Sequence, residues 1–374
     1  MEFPLDKDSY EFLSLIGKGA TSDVYLARCK SSGLELAIKI INLEICPIEI
    51  DVLRREVSFW STAKHPNIVK YYGSFIAGSS LFILMEYMSA GSCYEIMRSL
   101  PQKRIVDESA IATILKEALE TIAYLHSNRQ IHRDIKTGNL LMDSDGHVKV
   151  GDFGVAANLI EAGQRKRARF TVIGTPCYLA PEVLKESTGY TEEVDIWSLG
   201  ITAIEMATGS APYSNLFPLE IIVKIVNNPP PSLPEDQKFS SAFRDFVKQC
   251  LKYEPGERPT AADLLKHKFI KTAKDPSHLC KAFLDGLTSL PQRYSEAHTK
   301  PDEDNQAEQR KVEFKFDIPQ DSKPAQEAIG KFQITRTDQS MDQLGNRVKE
   351  LAQKQEALQN SLDLLKKELL AILQ

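Results

Sequence analysis

Apolar and polar residues alternate along residues 10–45, with turn residues between the runs, and this predicts three strands: YEFLSLIG, SDVYLARCK and LELAIKIINL. From Asp51 to Ala63 the period changes, and Val52, Leu53, Val57 and Trp60 recur at helical spacing. IVKYYGSF and LFILMEYM return to the strand pattern. Between Asp107 and Asn128, Ile111, Ile114, Leu115, Leu119, Ile122 and Leu125 recur at three and four residues, which predicts a long helix with a broad apolar face. GITAIEMATG and AADLLKHKFI continue in the helical manner to about Lys271. Strands gathered at the start and helices afterwards make the fold class α+β, with a small β-rich lobe before a larger helical one.

Beyond residue 271 the pattern weakens. Residues 272–310 turn polar, PDEDNQAEQR being poor in apolar side chains, and read as a flexible linker. KVEFKFDI, inside residues 311–340, then alternates strictly, with Val312, Phe314, Phe316 and Ile318 on one face and Lys311, Glu313, Lys315 and Asp317 on the other. A lone strand cannot bury such a face, so it is expected to dock on the preceding domain or on a partner. Residues 341–374 carry a heptad: Met341, Val348, Gln355, Leu362 and Leu369 at one position, Leu344, Leu351, Leu358, Leu365 and Ile372 at the other. Such a stripe predicts self-association as a coiled coil; an amphipathic helix folded back on its own chain is the competing arrangement.

The chain has 374 residues, room for one large two-lobed unit and an appendage. A net charge of −5 argues against nucleic acid or an anionic membrane as the main partner. Six cysteines without a CxxC pair fit unpaired thiols in a reducing compartment better than a disulfide framework or a zinc site. MEFPLDKDSYEF lacks the basic start and apolar run of a signal peptide, and no stretch reaches the ~18 apolar residues of a membrane span. A cytoplasmic location is the expectation.

The chemistry lies in IHRDIKTGNLLMDSDGHVKVGDFG, residues 131–154. A transferred phosphoryl group needs an oxygen acceptor near the incoming hydroxyl and metal ions to neutralise its oxygens. Asp134 suits the first task. Asn139 and Asp152 lie either side of a predicted short hairpin and can converge on Mg2+ as hard oxygen ligands. HRDIKTGN followed by DFG at this separation resembles the catalytic signature of protein kinases.

That resemblance extends over residues 10–271. INLE, HPNIVKYYGSF, DESAIATILKEALE, GTPCYLAPEV, DIWSLGITAIEMATGSAPY and RPTAADLLKHKF are similar to sterile-20-like serine/threonine kinases of the germinal-centre branch, the oxidative-stress-responsive and Fray-like subgroup. LCKAFLDGLTSLPQR and GKFQIT look more like plant members of that branch. The resemblance implies a bilobal kinase fold and transfer from ATP to protein serine or threonine hydroxyls, with Asp134 as catalytic base. Lys39, from the AIK of the third strand, would hold the α- and β-phosphates and pair with Glu56, Glu49 being the competing carboxylate. Lys136 would touch the γ-phosphate, a surface lysine being the plainer reading. IGKGATSDVY is similar to the glycine-rich loop: Ile16, Gly17, Lys18 and Gly19 rise, Ala20, Thr21 and Ser22 turn, and Asp23 and Val24 descend over the nucleotide. Ser22 replaces the third glycine, and an ordinary hairpin is the alternative. Met85 would be the gatekeeper, or simply a core methionine, and Glu86 to Met88 would present backbone groups to adenine.

Arg165, Lys166, Arg167 and Arg169 crowd just before Thr171, and a phosphate there would draw them and Arg133 together, unless the basic run serves acidic partners instead. Thr175 better fits a contact with the catalytic loop. Animal members of the subgroup are activated by an upstream kinase at this threonine and reach cation-chloride cotransporters through a C-terminal docking domain, which is not recognisable here. A nucleotide-binding pseudokinase scaffold is the alternative function; it calls for loss of Lys39, Asp134 or Asp152, all of which are present.

Overall fold

The computed structural model describes residues 3–19, 21–46, 50–152, 176–184 and 191–299, with the backbone alone for residues 50–52, 55, 56 and 299. The small lobe is a five-stranded antiparallel sheet in the order β1-β2-β3-β5-β4, formed by β1 (Tyr10–Lys18), β2 (Ser22–Cys29), β3 (Glu35–Asn42), β4 (Tyr71–Ala77) and β5 (Ser80–Met85). Helix α1 (Ile50–Thr62) enters the chain between β3 and β4, where the helical period predicts it.

Both faces of the sheet are covered, which is why β3 is nearly all apolar yet keeps a two-residue period. Leu36 and Ile38 point to one cluster with Tyr10, Phe82 and Leu84, while Ala37 and Ile41 point to the other with Trp60, Ile83 and Met85. The second face is the one turned toward the cleft. Gly17 lies opposite Val24, and Val24 opposite Lys39, so the register alone puts these three in line on that face.

After β5 the chain passes through residues 86–90 to β6 (Gly91–Ser92) and α2 (Cys93–Ser99), whose first turn is closed by a capping box between Ser92 and Glu95. Helix α3 (Glu108–Ser127), capped by Asp107, forms the centre of the large lobe, and Ile111, Ile114, Leu115, Leu119, Ile122 and Leu125 are all fully buried. Its polar residues at core positions are satisfied: Glu117 accepts from Asn67 Nδ2 and from the Val148 N–H. The expected hairpin is β7 (Leu140–Met142) with β8 (Val148–Val150), and β7 also pairs with β6. Beyond it come α4 (Pro181–Leu184), α5 (Glu193–Thr208), α6 (Pro218–Asn227), α7 (Ser241–Cys250) and α8 (Ala261–Leu264). Helix α5 is buried over nearly its whole length, and Gly200 lets α7 approach so closely that a Cβ there would stand 2.8 Å from Cys250 Cβ.

Residues 272–299 depart from the expected linker. Helix α9 (Ser277–Leu279) runs into a π turn over Cys280–Leu284, and α10 (Leu290–Thr299) packs against β1. Leu279, Phe283 and Leu290 are buried. The polar average of residues 272–310 hides these widely spaced anchors, each of which needs only one matching pocket. The rest of that linker, the alternating segment of residues 311–340 and the heptad of residues 341–374 lie outside the described residues. Among the described residues no helix is long and apolar enough to cross a membrane.

Candidate functional site

The loop between α3 and β7 is fixed from below. Asp195, in the first turn of α5 and fully buried, accepts the His132 N–H at 2.9 Å and the Arg133 N–H at 2.7 Å, and meets His126 Nε2 at 2.9 Å. Arg133 takes a left-handed conformation (φ 70°), unfavourable for a side chain with a Cβ, and the two hydrogen bonds to Asp195 hold the backbone in that bend. His132 is buried, and desolvation pushes its imidazole below the usual range despite the opposing pull of Asp195, Asp134 and Asp152, so it is kept neutral.

On this support three side chains converge. Lys136 Nζ reaches both carboxylate oxygens of Asp134, at 2.9 and 2.8 Å, and Asn139 Nδ2 donates to Asp134 Oδ2 at 2.8 Å and to its carbonyl at 2.7 Å. The hydrogen bonds fix the Asp134 carboxylate between Lys136 and Asn139. Burial works against the Lys136 ammonium, but Asp134 and, further off, Asp152 and Glu205 outweigh it and raise its proton affinity. Because the amide nitrogen of Asn139 is engaged, its oxygen is the atom left to face a cation.

Asp152 follows β8 in a left-handed conformation (φ 52°) and meets Lys39 of β3 at 2.5 Å between Nζ and Oδ1. Desolvation raises the Asp152 carboxyl, but the charge and hydrogen bond of Lys39, with Lys136 and His132 behind it, hold it below the ordinary range. The contact joins the small lobe to the large one across the cleft. The carboxylate of Glu56, expected on Lys39, falls outside the described side chains; its backbone lies in α1.

Ile16, Ala37, Met85 and Met88 share one apolar cluster with Val24 and Leu141. Ala37 and Leu141 escape notice in the sequence, although Ala37 stands two residues before Lys39 and must share its face of β3. Met85 is a buried residue of this cluster, as the core reading expects. The Glu86 N–H donates to the Lys70 carbonyl at 2.9 Å, and its carboxylate is held by Lys149 Nζ at 2.7 Å, which pins this segment to the large lobe. Only the carbonyl of Glu86 is therefore open to a base among its backbone groups.

In the glycine-rich loop the Gly19 N–H donates to the Ser22 carbonyl at 2.6 Å, and a Cβ on Gly19 would lie 3.1 Å from Ser22 Oγ. Lys18 pairs with Asp23, and the Thr21 carbonyl accepts from the Asn42 N–H at 3.1 Å. Ala20 lies outside the described residues, as do Phe153, the basic run, Thr171 and Thr175.

No sequence signal announces the layer beneath Lys136. There Glu205 of α5 accepts from Thr137 Oγ1 and from the Tyr178 hydroxyl, each at 2.7 Å. Burial raises the Glu205 carboxyl above its usual range against those bonds. Glu182 of α4 and Arg258 meet in a two-toothed ion pair of 2.5 and 2.9 Å.

No group of three His, Cys, Asp or Glu side chains that could enclose a metal occurs among the described residues. Magnesium needs no such cage: one amide oxygen and one carboxylate, from Asn139 and Asp152, suit an ion that takes its remaining ligands from phosphate and water.

Comparison with known proteins agrees with this geometry. The protein kinase domain model matches residues 10–270. Serine/threonine-protein kinase fray2 of Dictyostelium discoideum is 45% identical over 296 residues, covering 78% of this chain and 28% of that protein. Germinal center kinase 3 of Caenorhabditis elegans is 39% identical over 307 residues, covering 77% of this chain and 52% of its own length. The chain thus spans about a quarter and about half of these two relatives, whose names agree with the germinal-centre resemblance. With the match extending over both lobes, the chain belongs to the protein kinase family.

Proposed function

We propose that the protein transfers the γ-phosphoryl group of ATP to serine and threonine hydroxyls of other proteins. The observation that carries this is the Lys39–Asp152 contact across the cleft, with the Asp134, Lys136 and Asn139 cluster beside it. Ile16, Val24, Ala37 and Met88 would sandwich the base, and Lys39 would hold the α- and β-phosphates. The incoming hydroxyl oxygen forms a bond to the γ-phosphorus as the bond to the β,γ-bridging oxygen breaks. Asp134 orients that hydroxyl and takes its proton, and Lys136 balances charge on the transferred group. Asn139 and Asp152 would hold Mg2+, which supplies neutralisation of the phosphate oxygens when bound. All three residues whose loss would favour a pseudokinase scaffold are in place. Transfer of labelled phosphate from ATP to a generic basic protein tests the reading, with Asp134→Ala as the control argued in the Discussion; no transfer by the unaltered chain rejects it.

We assign activation to phosphorylation of Thr171 by an upstream kinase within a signalling cascade. The crowded cations Arg165, Lys166, Arg167 and Arg169 repel one another until about two negative charges arrive beside them. Thr171→Ala should lower activity at least about tenfold, and phosphosite mapping of protein from its own cells should find Thr171 occupied; full activity of the alanine variant would sink the assignment.

Residues 341–374 complete the proposal as a coiled coil that assembles copies of this cytoplasmic enzyme, with residues 311–340 as the segment between it and the kinase domain. Light scattering should give the full chain a multiple of its monomer mass of 42.0 kDa and a chain ending at residue 340 a monomer mass. Equal monomer masses would refute self-association.

A further inference from the structure

Helix α10 lies beyond the residues matched by the kinase model, yet it reaches the part of the cleft where the base would sit. Leu290 is buried in the same cluster as Ile16, Met85 and Met88, far from it in sequence. Its approach depends on Gly91, which has φ 82° and where a Cβ would come within 2.8 Å of Leu290 Cδ1. Three residues further along, Arg293 Nη2 donates to the Ala90 carbonyl at 2.5 Å, while its Nε donates to the Thr288 carbonyl at 3.0 Å.

These contacts act on one short piece of backbone. The Ala90 N–H is held by the Met142 carbonyl of β7 at 3.0 Å, and the Gly91 N–H by the Met88 carbonyl at 2.9 Å. Arg293 supplies the remaining bond, so Ala90 is gripped through both its polar groups, one from β7 and one from α10. The turn so fixed begins at Met88, the residue whose backbone is to face adenine. The guanidinium stands where burial lowers its proton affinity and Glu95 and Tyr87 counter that, which marks a cation placed there at some cost in solvation.

We infer that residues 288–293 are a working part of the nucleotide site, with Leu290 and Arg293 as positioning residues that hold the turn at Met88–Gly91 in the form that receives adenine. The inference rests on the proposed ATP reading. Among the described residues the side-chain hydrogen bonds of α10 go to Ala90, Thr288 and its own turn and not to Asp134, Lys136, Asn139 or Asp152, so its contribution falls on nucleotide affinity and not on the transfer step. A strap that served only general stability would leave affinity for ATP unchanged in the folded protein.

The test uses the full chain with Arg293→Ala, Arg293→Lys, Leu290→Ala and Leu290→Met, measuring ATP Kd by fluorescent nucleotide displacement alongside kcat and KM for ATP and for a peptide. Loss of a hydrogen bond from a charged donor should raise Kd and KM for ATP about tenfold in Arg293→Ala, with kcat and peptide KM within about twofold. Arg293→Lys keeps a donor toward Ala90 and should recover most of the affinity. Leu290→Met should stay near the unaltered protein, and Leu290→Ala, if folded, should resemble Arg293→Ala. Unchanged ATP Kd in Arg293→Ala, or a fall in kcat with Kd constant, overturns the inference, as does a lysine variant as weak as alanine. Failure of the kinase reading itself would look different: ATP Kd would still respond to Arg293, but the unaltered chain would transfer no phosphate.

Discussion

Asp134→Ala should lower kcat for phosphoryl transfer at least about a thousandfold and leave ATP binding within a few fold. A positioned general base is worth about 10²–10⁴ in rate, and Asp134 does more than accept a proton. Its carboxylate is the common acceptor for Lys136 Nζ at 2.8 Å and Asn139 Nδ2 at 2.8 Å, so alanine also frees the lysine expected on the γ-phosphate and one anchor of a proposed magnesium ligand. The loop itself should survive, because its bend is held by Asp195 through the backbone of His132 and Arg133, and Asn139 keeps its bond to the carbonyl of residue 134. The proposed nucleotide contacts of Ile16, Val24, Lys39 and Met88 come from other elements and are untouched. Asp134→Asn sharpens the comparison: it preserves shape and, with its oxygen at the Oδ2 place, still accepts from Asn139, but its NH2 group then confronts Lys136 Nζ, another donor. Single-turnover transfer of labelled phosphate measures the effect, and activity within about tenfold of the unaltered protein would remove Asp134 from the catalytic role.

The side chains in that experiment are legible in the sequence because their spacing is local. Asp134 and Asn139 belong to one loop, and the hairpin that brings Asp152 back follows from the alternation of LLM and VKV about a turn. Lys39 is legible for a different reason: the resemblance singles out the AIK of the third strand, and the observed register then sets Lys39 in line with Gly17 and Val24. The supports beneath the site are a harder matter. Thr137 and Glu205 are far apart in the chain, and a buried glutamate on α5 looks in sequence like any other helical glutamate. The Lys149–Glu86 pair that pins the segment after β5 is equally silent, since both residues have charges that suit a solvated surface. Helix α10 is missed because hydrophobic content is judged over a window, whereas Leu290 is a single side chain filling a hole left by Gly91. Periodicity reports continuous faces; it does not report one-residue anchors.

Arg258→Ala should give the largest loss of stability among single polar substitutions in the large lobe, about 3–5 kcal/mol. The Arg258 side chain is 0% exposed, and its guanidinium donors are fully occupied. Nη1 and Nη2 grip Glu182 at 2.5 and 2.9 Å, Nη1 also donates to the Glu193 carbonyl at 3.0 Å, Nη2 to that of Tyr253 at 3.1 Å, and Nε to that of Lys252 at 2.8 Å. The same group stacks over Trp197 at 5.0 Å from the ring centre. Alanine therefore strands a carboxylate that is only 15% exposed and three carbonyls, and opens a cavity beside the indole. Arg258→Lys should rescue little, because an ammonium has three donors and no fork to match both Glu182 oxygens. Glu182→Ala should cost less than Arg258→Ala, since three carbonyls still hold the guanidinium, and the double variant should fall short of the sum of the two, as expected for direct partners. At about 2–4 °C per kcal/mol for a domain of this size, Arg258→Ala should lower Tm by about 10 °C. A loss below about 1 kcal/mol would mean that water replaces all five bonds without penalty, and the pair would then be a surface contact in energetic terms despite its burial.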